Sequence, residues 1–221
     1  MGKIGAVLFD LDGTLVDSEP VAFKAILDIC AGWGVSINPK DAAEVAGKKW
    51  EVAFDLIFDR YKFPLNKAES SRTIIEYFRK KTAENLPVIP GAVDSLRLFA
   101  SLGPIGLVSG SHRQEIFFAL DKLGVTDLFS IVLGAEDYVY SKPSPEGYLK
   151  ALKELGVHGN EVLIFEDSSA GIESGLSAGA VLAAITSTNH FGHDQSGAHI
   201  QIKDFSDVTL EWVRAVEKRF F

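Results

Sequence analysis

Cysteine is almost missing from this chain of 221 residues, in which Cys30 is the only one. An internal disulfide is therefore excluded, and the composition fits a reducing compartment, so we expect a cytoplasmic protein. Cys30 lies among apolar residues, which favours a buried structural thiol over a nucleophile. The first apolar run is short and leads directly into charged residues, which is not the pattern of a signal peptide.

Positive charge is also scarce: 22 Lys and Arg residues stand against 30 Asp and Glu residues, and the net charge is −8. This balance argues against general binding of nucleic acid or of anionic membranes. No stretch is long enough to span a membrane, so we expect no membrane partner. A phosphorylated small molecule is still compatible with the net charge, because local charges and metal ions decide such binding.

The stretch from residue 4 to residue 14 carries the strongest signal in the chain. Its apolar start predicts a short buried strand, which ends at two carboxylates, Asp10 and Asp12, before Gly13 and Thr14. In open α/β sheets, ligands bind beyond the carboxyl ends of the strands. Two acids this close repel each other unless a cation or a shared proton relieves them, and oxygen ligands of this type suit Mg²⁺. An acidic turn without chemistry is the alternative interpretation.

The periodicity of apolar residues divides the chain into two regions. Between residues 20 and 86 apolar residues recur at helical spacing, and nothing indicates a strong strand. After Pro90-Gly91, short apolar strands alternate with helices, which predicts a parallel sheet with helices on both faces. We therefore predict an α/β fold in which a Rossmann-like core of residues 1–16 and 88–221 carries an inserted α-helical domain of residues 17–87.

Two later strands are also predicted to end in polar residues. Ser109 and Gly110 follow one of them, and a hydroxyl beside backbone N–H groups at a helix start can bind phosphate oxygens. By itself, Ser109 is more simply interpreted as a cap of the next helix. Glu166 and Asp167 follow the other strand and offer further metal ligands, although acids at a helix start are also favoured by the helix dipole.

Lys142 lies in a segment that two prolines, Pro143 and Pro145, hold in a rigid turn before a predicted helix. A lysine held in this way can neutralise both a nucleophile and a transferring phosphoryl group. An isolated lysine is more often a solvated surface charge. The residues around it decide between these interpretations.

Several stretches of the sequence, including the one around Lys142, resemble the motifs of the haloacid dehalogenase-like (HAD) phosphatase superfamily. DLDGTLVDS at 10–18 resembles the first motif of the family, KPSPEGY at 142–148 resembles the third, and EDSSAGI at 166–172 resembles the fourth, in the branch that contains β-phosphoglucomutase. With Ser109 in the place of the second motif, all four occur in family order. The resemblance covers nearly the whole chain, and the helical insertion is similar to the mobile cap of the family.

The resemblance implies roles for four acidic residues. Asp10 is expected to attack phosphorus and form an aspartyl-phosphate, with Asp12 as the general acid and base. Mg²⁺ is expected to bind the Asp10 and Asp167 carboxylates and the main-chain carbonyl of Asp12, with Glu166 beside it. These four residues are therefore the predicted metal site.

The resemblance also implies a set of phosphate-binding residues, namely Thr14, Ser109, Gly110 and Lys142, of which Lys142 is also expected to be catalytic. In the insertion, Lys49 is at a position where related caps place a basic residue that faces the site. It is expected to contact a second anionic or hydroxyl group of the substrate. That Lys48 and Lys49 are simply solvated helix charges is an equally open interpretation.

Five histidines and several phenylalanines remain. The spacing of His190, His193 and His199 is too irregular to favour a metal site. His112, next to the Ser109 loop, is expected to cap a helix or lie at the rim of the site. We assign the following aromatic residues to the core: Phe117, Phe118 and Phe129.

The expected function is a Mg²⁺-dependent phosphatase that hydrolyses a small phosphorylated metabolite, such as a sugar or polyol phosphate, through an aspartyl-phosphate. The alternative is a β-phosphoglucomutase-like phosphomutase, which would use the same core residues. A non-catalytic binding module that keeps the fold is a third interpretation, which the intact motifs disfavour. We expect a monomer or a weak dimer.

Overall fold

The computed structural model describes residues 2–41, 50–190 and 192–221. The chain forms two compact units, one of Met1–Val16 with Val88–Phe221 and the other of Asp17–Pro87. Lys48 and Lys49 lie outside the described residues, so their roles stay predictions. None of the helices described here combines the length and the apolar character that a membrane crossing requires.

The first unit is built on a parallel sheet. In the described residues its strands are β1 (Ala6–Phe9), β2 (Ile105–Val108), β3 (Phe129–Leu133), β4 (Val162–Glu166), β5 (Val181–Ile185) and β6 (Ile200–Ile202). The strand order is β3-β2-β1-β4-β5-β6, and every neighbouring pair is parallel. This arrangement confirms the predicted Rossmann-like α/β fold.

Helices accompany the sheet in the first unit, and the elements that the structure describes in the second unit are all helices. Their bounds are α1 (Glu19–Gly32), α2 (Trp50–Arg60) and α3 (Lys67–Glu84) in the second unit, and α4 (Ala92–Leu102), α5 (Arg113–Leu123), α6 (Glu146–Leu155), α7 (Ser169–Ser177) and α8 (Leu210–Phe220) in the first. Local sequence explains several helix ends. Gly156 ends α6 in the left-handed conformation, with φ of 71°. The Thr209 side chain accepts a hydrogen bond from the Trp212 N–H at the start of α8.

Strand β1 is buried on both faces, and this burial fixes the start of the first motif. On one face the Phe9 ring stacks on Phe165 of β4, with 5.2 Å between centroids, and Phe99 and Phe205 complete the aromatic cluster. On the other face Leu8 belongs to a second apolar cluster. The backbone that leads into Asp10 is therefore held by packing from both sides of the sheet.

The second unit has its own apolar core between α1, α2 and α3. Buried members of that core include Ile26, Cys30, Phe54, Ile57 and Ile74. Burial raises the pKa of the Cys30 thiol to about 11, so the reactive thiolate is disfavoured at neutral pH. The prediction of a structural thiol is confirmed. That this helical unit acts as a cap stays a prediction.

One aromatic assignment is wrong. Phe118 is exposed on α5, with the Lys122 ammonium 5.7 Å from its ring centroid, because α5 buries the face that carries Ile116, Ala119 and Leu120. The side chain at 118 lies outside this face. Phe117 and Phe129 are half-buried.

Candidate active site

The candidate site lies at the carboxyl ends of the central strands. Asp10 follows β1, and its N–H donates to the Phe165 carbonyl of β4 over 3.1 Å. Ser109 follows β2, and its N–H donates to the Leu133 carbonyl of β3 over 3.0 Å. The strand order reverses at β1, which is where open α/β sheets form their ligand crevice.

Lys142 joins two of the predicted acids. Its ammonium lies 2.5 Å from Asp10 Oδ1 and 2.6 Å from Glu166 Oε1. It also donates to the Val108 carbonyl over 3.0 Å, and its side chain is 13% exposed. The interpretation of Lys142 as a solvated surface charge is therefore wrong. The lysine is a largely buried cation at the end of β1.

Burial and mutual attraction shift the protonation of this cluster. Burial is the main cause that raises the pKa of Asp10 to about 8; Lys142 opposes the shift and Glu166 adds to it. Burial alone would lower the pKa of Lys142, but its attraction to Asp10 and Glu166 holds that pKa well above the ordinary value. The lysine is therefore charged, and its single positive charge is shared between the carboxylates of Asp10 and Glu166.

Glu166 is surrounded by hydrogen-bond donors. Besides Lys142, the Tyr148 hydroxyl donates to Oε1 over 3.0 Å. The Asp167 N–H, the Ser168 N–H and the Ser168 hydroxyl donate to Oε2 over 3.0 to 3.2 Å. Burial would raise the pKa of Glu166, but Lys142 and these donors outweigh it, so the pKa lies below the ordinary value. Glu166 is thus a fixed anion that anchors the lysine.

The chemistry of the acidic residues fits a metal ion. Carboxylate oxygens of Asp10, Glu166 and Asp167 lie within 4.8 Å of one another, and all three residues are buried. Burial is the main cause that raises the pKa of Asp10, and a cation bound beside it would favour the charged carboxylate. An all-oxygen set of this kind suits a hard ion such as Mg²⁺.

Asp12 occupies a different place from this acidic group. Its Oδ2 accepts a hydrogen bond of 2.6 Å from the Ser111 hydroxyl. The Ser111 N–H in turn donates to Ser109 Oγ over 3.0 Å, and the Ser109 side chain is buried. The helix after this loop begins at Arg113 with His112 as its N-cap residue, so Ser109 itself does not cap it. The loop connects the first and second motifs through Asp12.

Thr14 also contacts an acid. The Thr14 side chain is fully buried, and its hydroxyl donates to Asp167 Oδ1 over 3.3 Å. Gly13 lies just before it with φ of 80°, and a Cβ there would collide with the Asp167 carboxylate. The turn of the first motif therefore packs directly on the fourth motif. The predicted contact of Thr14 with phosphate stays a prediction.

Two histidines are engaged outside this cluster. His112 Nδ1 lies 3.0 Å from Glu136 Oε1, and the His112 N–H donates to Glu115 at the start of α5. This placement confirms the predicted capping position. His199 Nδ1 accepts a hydrogen bond from the Leu182 N–H over 3.1 Å.

The family follows from a comparison with known protein families. The model of the haloacid dehalogenase-like hydrolase family, a class of hydrolases, matches residues 4–179. This chain belongs to that family. The matched range includes every motif described above, and the predicted family is confirmed.

Known relatives of this HAD-like hydrolase include phosphatases. Hexitol phosphatase B of Escherichia coli (strain K12) is 31% identical over 175 residues, which cover 77% of this chain and 78% of that protein. The bifunctional riboflavin kinase/FMN phosphatase of Arabidopsis thaliana is 28% identical over 207 residues, 93% of this chain. The chain spans about half of that longer protein, 54% of its length.

A solved structure supports the fold of the HAD-like hydrolase. The β-phosphoglucomutase from Clostridium difficile superposes with a TM-score of 0.75 at 23% sequence identity, with 98% of each chain covered. At this identity the likeness concerns the fold alone, and the β-phosphoglucomutase-like branch stays a prediction.

Sequence reasoning missed several polar residues that support the HAD motifs. The Tyr138 hydroxyl donates to the Ser109 carbonyl over 2.7 Å, and the Tyr148 ring lies 4.9 Å from the Lys142 ammonium. Thr188 and Gln195 contact the site from the segment between β5 and β6. Only Tyr148 lay inside a recognised motif. The others are distant in sequence from the residues they contact, so no local pattern marks them.

We expect the Gly171→Ala variant to lose about 1–3 kcal/mol of unfolding free energy, as overpacked sites do. A Cβ at residue 171 would collide with the Glu166 carboxylate, which Lys142 and the backbone hold in place. Chemical denaturation measures the loss. Gly32→Ala is the matched control: no atom lies within 4 Å of a Cβ there, so its stability should stay within about 1 kcal/mol of the wild type. Equal stabilities of the two variants would contradict the proposed tight packing around Glu166.

Proposed function

We propose that this HAD-like hydrolase is a Mg²⁺-dependent phosphatase that hydrolyses a small phosphorylated metabolite, such as a sugar or polyol phosphate. The observation that carries the proposal is the buried cluster of Asp10, Lys142 and Glu166 beside Asp167, at the carboxyl ends of β1 and β4. The phosphatase names of relatives, one of them a hexitol phosphatase, support the substrate class.

In the first step, an oxygen of the Asp10 carboxylate forms a bond to phosphorus, and the bond from phosphorus to the ester oxygen breaks. Asp12 gives its proton to the departing alkoxide, so the product is an alcohol. Lys142 lies within hydrogen-bond distance of Asp10, where it orients the nucleophile and offsets negative charge on the phosphoryl group. Ser109, Gly110 and Thr14 are proposed to hold the phosphoryl oxygens.

In the second step, Asp12 takes a proton from water as that water attacks the aspartyl-phosphate. The bond between phosphorus and Asp10 breaks, which releases inorganic phosphate and restores the carboxylate. The same residue thus serves as acid and then as base. The Ser111 hydroxyl keeps the Asp12 carboxylate in a defined orientation for both roles.

The residues proposed to hold Mg²⁺ are Asp10, Asp167 and the main-chain carbonyl of Asp12, with Glu166 beside them. When bound, Mg²⁺ offsets the repulsion between the anionic nucleophile and the anionic phosphate. Thr14 orients Asp167 through its hydroxyl. Glu166 acts mainly by fixing Lys142, because both of its oxygens already accept hydrogen bonds from the protein.

Residues 17–87 are proposed to form a cap that selects the substrate, with Lys49 as a contact to a second polar group. The proposed partner is a small metabolite alone, and the proposed assembly is a monomer or weak dimer in the cytoplasm. The cap and the role of Lys49 rest on the resemblance to the family, whereas the cytoplasmic location rests on the scarcity of cysteine and the choice of partner on the negative net charge.

The decisive experiment measures phosphate release from a panel of sugar phosphates, polyol phosphates and an aryl phosphate, with and without Mg²⁺. We expect release that requires Mg²⁺ and that is highest for one compound of the sugar or polyol class. Interconversion of sugar phosphates without net release would favour the phosphomutase. If neither reaction occurs with any compound, the phosphatase proposal for this substrate class is wrong.

A further inference from the structure

Two buried side chains between β5 and β6 donate hydrogen bonds to the backbone of the candidate metal site. The Thr188 hydroxyl donates to the Gly13 carbonyl over 2.6 Å. The Gln195 amide donates to the Asp167 carbonyl over 2.5 Å. Thr188 is 2% exposed and Gln195 is 6% exposed, so water cannot readily replace either donor.

Both accepting carbonyls belong to segments that carry proposed metal ligands. Gly13 directly follows Asp12, whose own carbonyl is a proposed ligand, and Asp167 contributes its carboxylate. The two segments also pack on each other, because the hydrogen on the Gly13 Cα leaves just enough room for the Asp167 carboxylate. A shift of either backbone would therefore change the distance between two proposed ligands.

Gln195 connects this pair to the sheet. Its amide donates a second hydrogen bond, of 2.8 Å, to the carbonyl of Ile185 at the end of β5. The main-chain carbonyl of Gln195 accepts a hydrogen bond from the side-chain amide of Gln201 in β6 over 3.2 Å. The Asp167 backbone is thereby fixed relative to β5 and β6 as well as to its own strand.

From these contacts we propose that Thr188 and Gln195 are positioning residues for the metal ion, and that the segment between β5 and β6 serves this purpose. The proposal rests on the proposed Mg²⁺ site. Residues that orient metal ligands from outside typically change metal affinity by about 10- to 100-fold when they are replaced. We therefore expect Thr188→Val and Gln195→Met to weaken metal binding about 10-fold or more.

The effect should be specific to the metal. The proposed phosphoryl contacts of Lys142 and Ser109 come from the segment before α6 and from the loop after β2, and their hydrogen bonds do not involve Thr188 or Gln195. The KM for the phosphorylated substrate at saturating Mg²⁺ should therefore change less than 3-fold. In both variants the apparent activation constant for Mg²⁺ should rise together with the dissociation constant for the metal ion.

The experiment titrates the metal-free full chain with Mn²⁺, read by the loss of the free-ion signal in electron paramagnetic resonance, together with Mg²⁺ calorimetry. Thr188→Ser retains the hydroxyl and should bind Mn²⁺ with nearly wild-type affinity. Thr82→Val is the matched control, because the Thr82 hydroxyl makes the same type of bond to the Phe78 carbonyl in α3. It should lower the melting temperature without changing the Kd for Mn²⁺.

The outcomes separate this inference from the proposed function. An Asp167→Asn variant that binds Mn²⁺ like the wild type would overturn the metal site itself, and this inference with it. If Asp167→Asn loses binding while Thr188→Val and Gln195→Met retain wild-type Kd values, the metal site stands and the positioning role is wrong. Should Gln195→Met fail to fold, Thr188→Val, with Thr188→Ser as its rescue, decides the question alone.

Discussion

Phosphate release by the Asp10→Asn variant is expected to fall by about 10⁴-fold or more, to the background of the assay, as happens when a catalytic nucleophile is removed. The amide has nearly the shape of the carboxylate but cannot form the phosphoryl-enzyme intermediate. Asp10 lies 2.5 Å from the Lys142 ammonium at the end of β1. Its carboxylate is one of the three carboxylates that could hold a metal ion. The substitution therefore removes the proposed nucleophile and one proposed metal ligand together.

The variant should remain folded. Burial raises the pKa of Asp10 to about 8, so the carboxylate form is poorly stabilised in the absence of a cation, and a neutral amide avoids that cost. Lys142 keeps its ion pair with Glu166. We therefore expect a melting temperature at least equal to that of the metal-free wild type.

Two measurements complete the test of Asp10. Acid quenching during turnover of a ³²P-labelled substrate should leave label on the wild-type chain and none on Asp10→Asn. Asp94→Asn, at an exposed position in the first turn of α4, is the control and should keep full activity. Turnover by Asp10→Asn near the wild-type rate would show that another group attacks phosphorus.

The sequence was sufficient to predict where the candidate catalytic residues would meet. Asp10, Ser109 and Glu166 each end an apolar strand, and the carboxyl ends of parallel strands share one edge of a sheet. Apolar runs bounded by glycine or proline are a local signal, so the strands and helices of the first unit could be located within a few residues. The contact between Lys142 and Asp10 came from the resemblance, because 132 residues separate the two in sequence.

What the sequence could not predict depends on contacts between distant polar residues. Gln195 carries no local motif, and its partner Asp167 is 28 residues away. Tyr148 occupies a face of α6 that is apolar by pattern, so only the structure shows its hydroxyl on Glu166. Phe118 shows the opposite error: hydrophobicity predicted burial, but the helix turns that residue towards solvent.

The ion pairs of Lys142 allow its role in folding to be separated from its role in catalysis. Lys142→Met is expected to lower the unfolding free energy by about 3–5 kcal/mol, because it leaves buried carboxylates without their counter-ion. Of the two carboxylates, Asp10 and Glu166, the second should account for more of the lost stability, because Glu166 is fully buried and its pKa lies below the ordinary value. We expect turnover to fall by about 10²- to 10³-fold or more, as when a preorganised charge is removed from a transition state.

The double variant Lys142→Met, Glu166→Gln tests the physical reason. Neutral glutamine removes the unpaired buried charge, and its single oxygen can still accept hydrogen bonds from the Asp167 and Ser168 N–H groups, while its amide nitrogen faces Tyr148 as a donor. A substantial part of the lost stability should therefore return. Turnover should not return, because the lysine ammonium that faces Asp10 is still absent. Denaturation and steady-state rates on the single variants and the double variant give a complete thermodynamic cycle.

Lys153→Met, at an exposed position of α6, is the control for the loss of a lysine and should leave both quantities within error of the wild type. If the double variant is as unstable as Lys142→Met alone, the unpaired charge of Glu166 is not the cause of the instability. If stability returns and turnover stays low, the reaction depends on the lysine charge itself, and Glu166 matters because it fixes that charge next to the nucleophile. Glu166, the last residue of β4, would then have a role that its place in an acidic motif does not indicate.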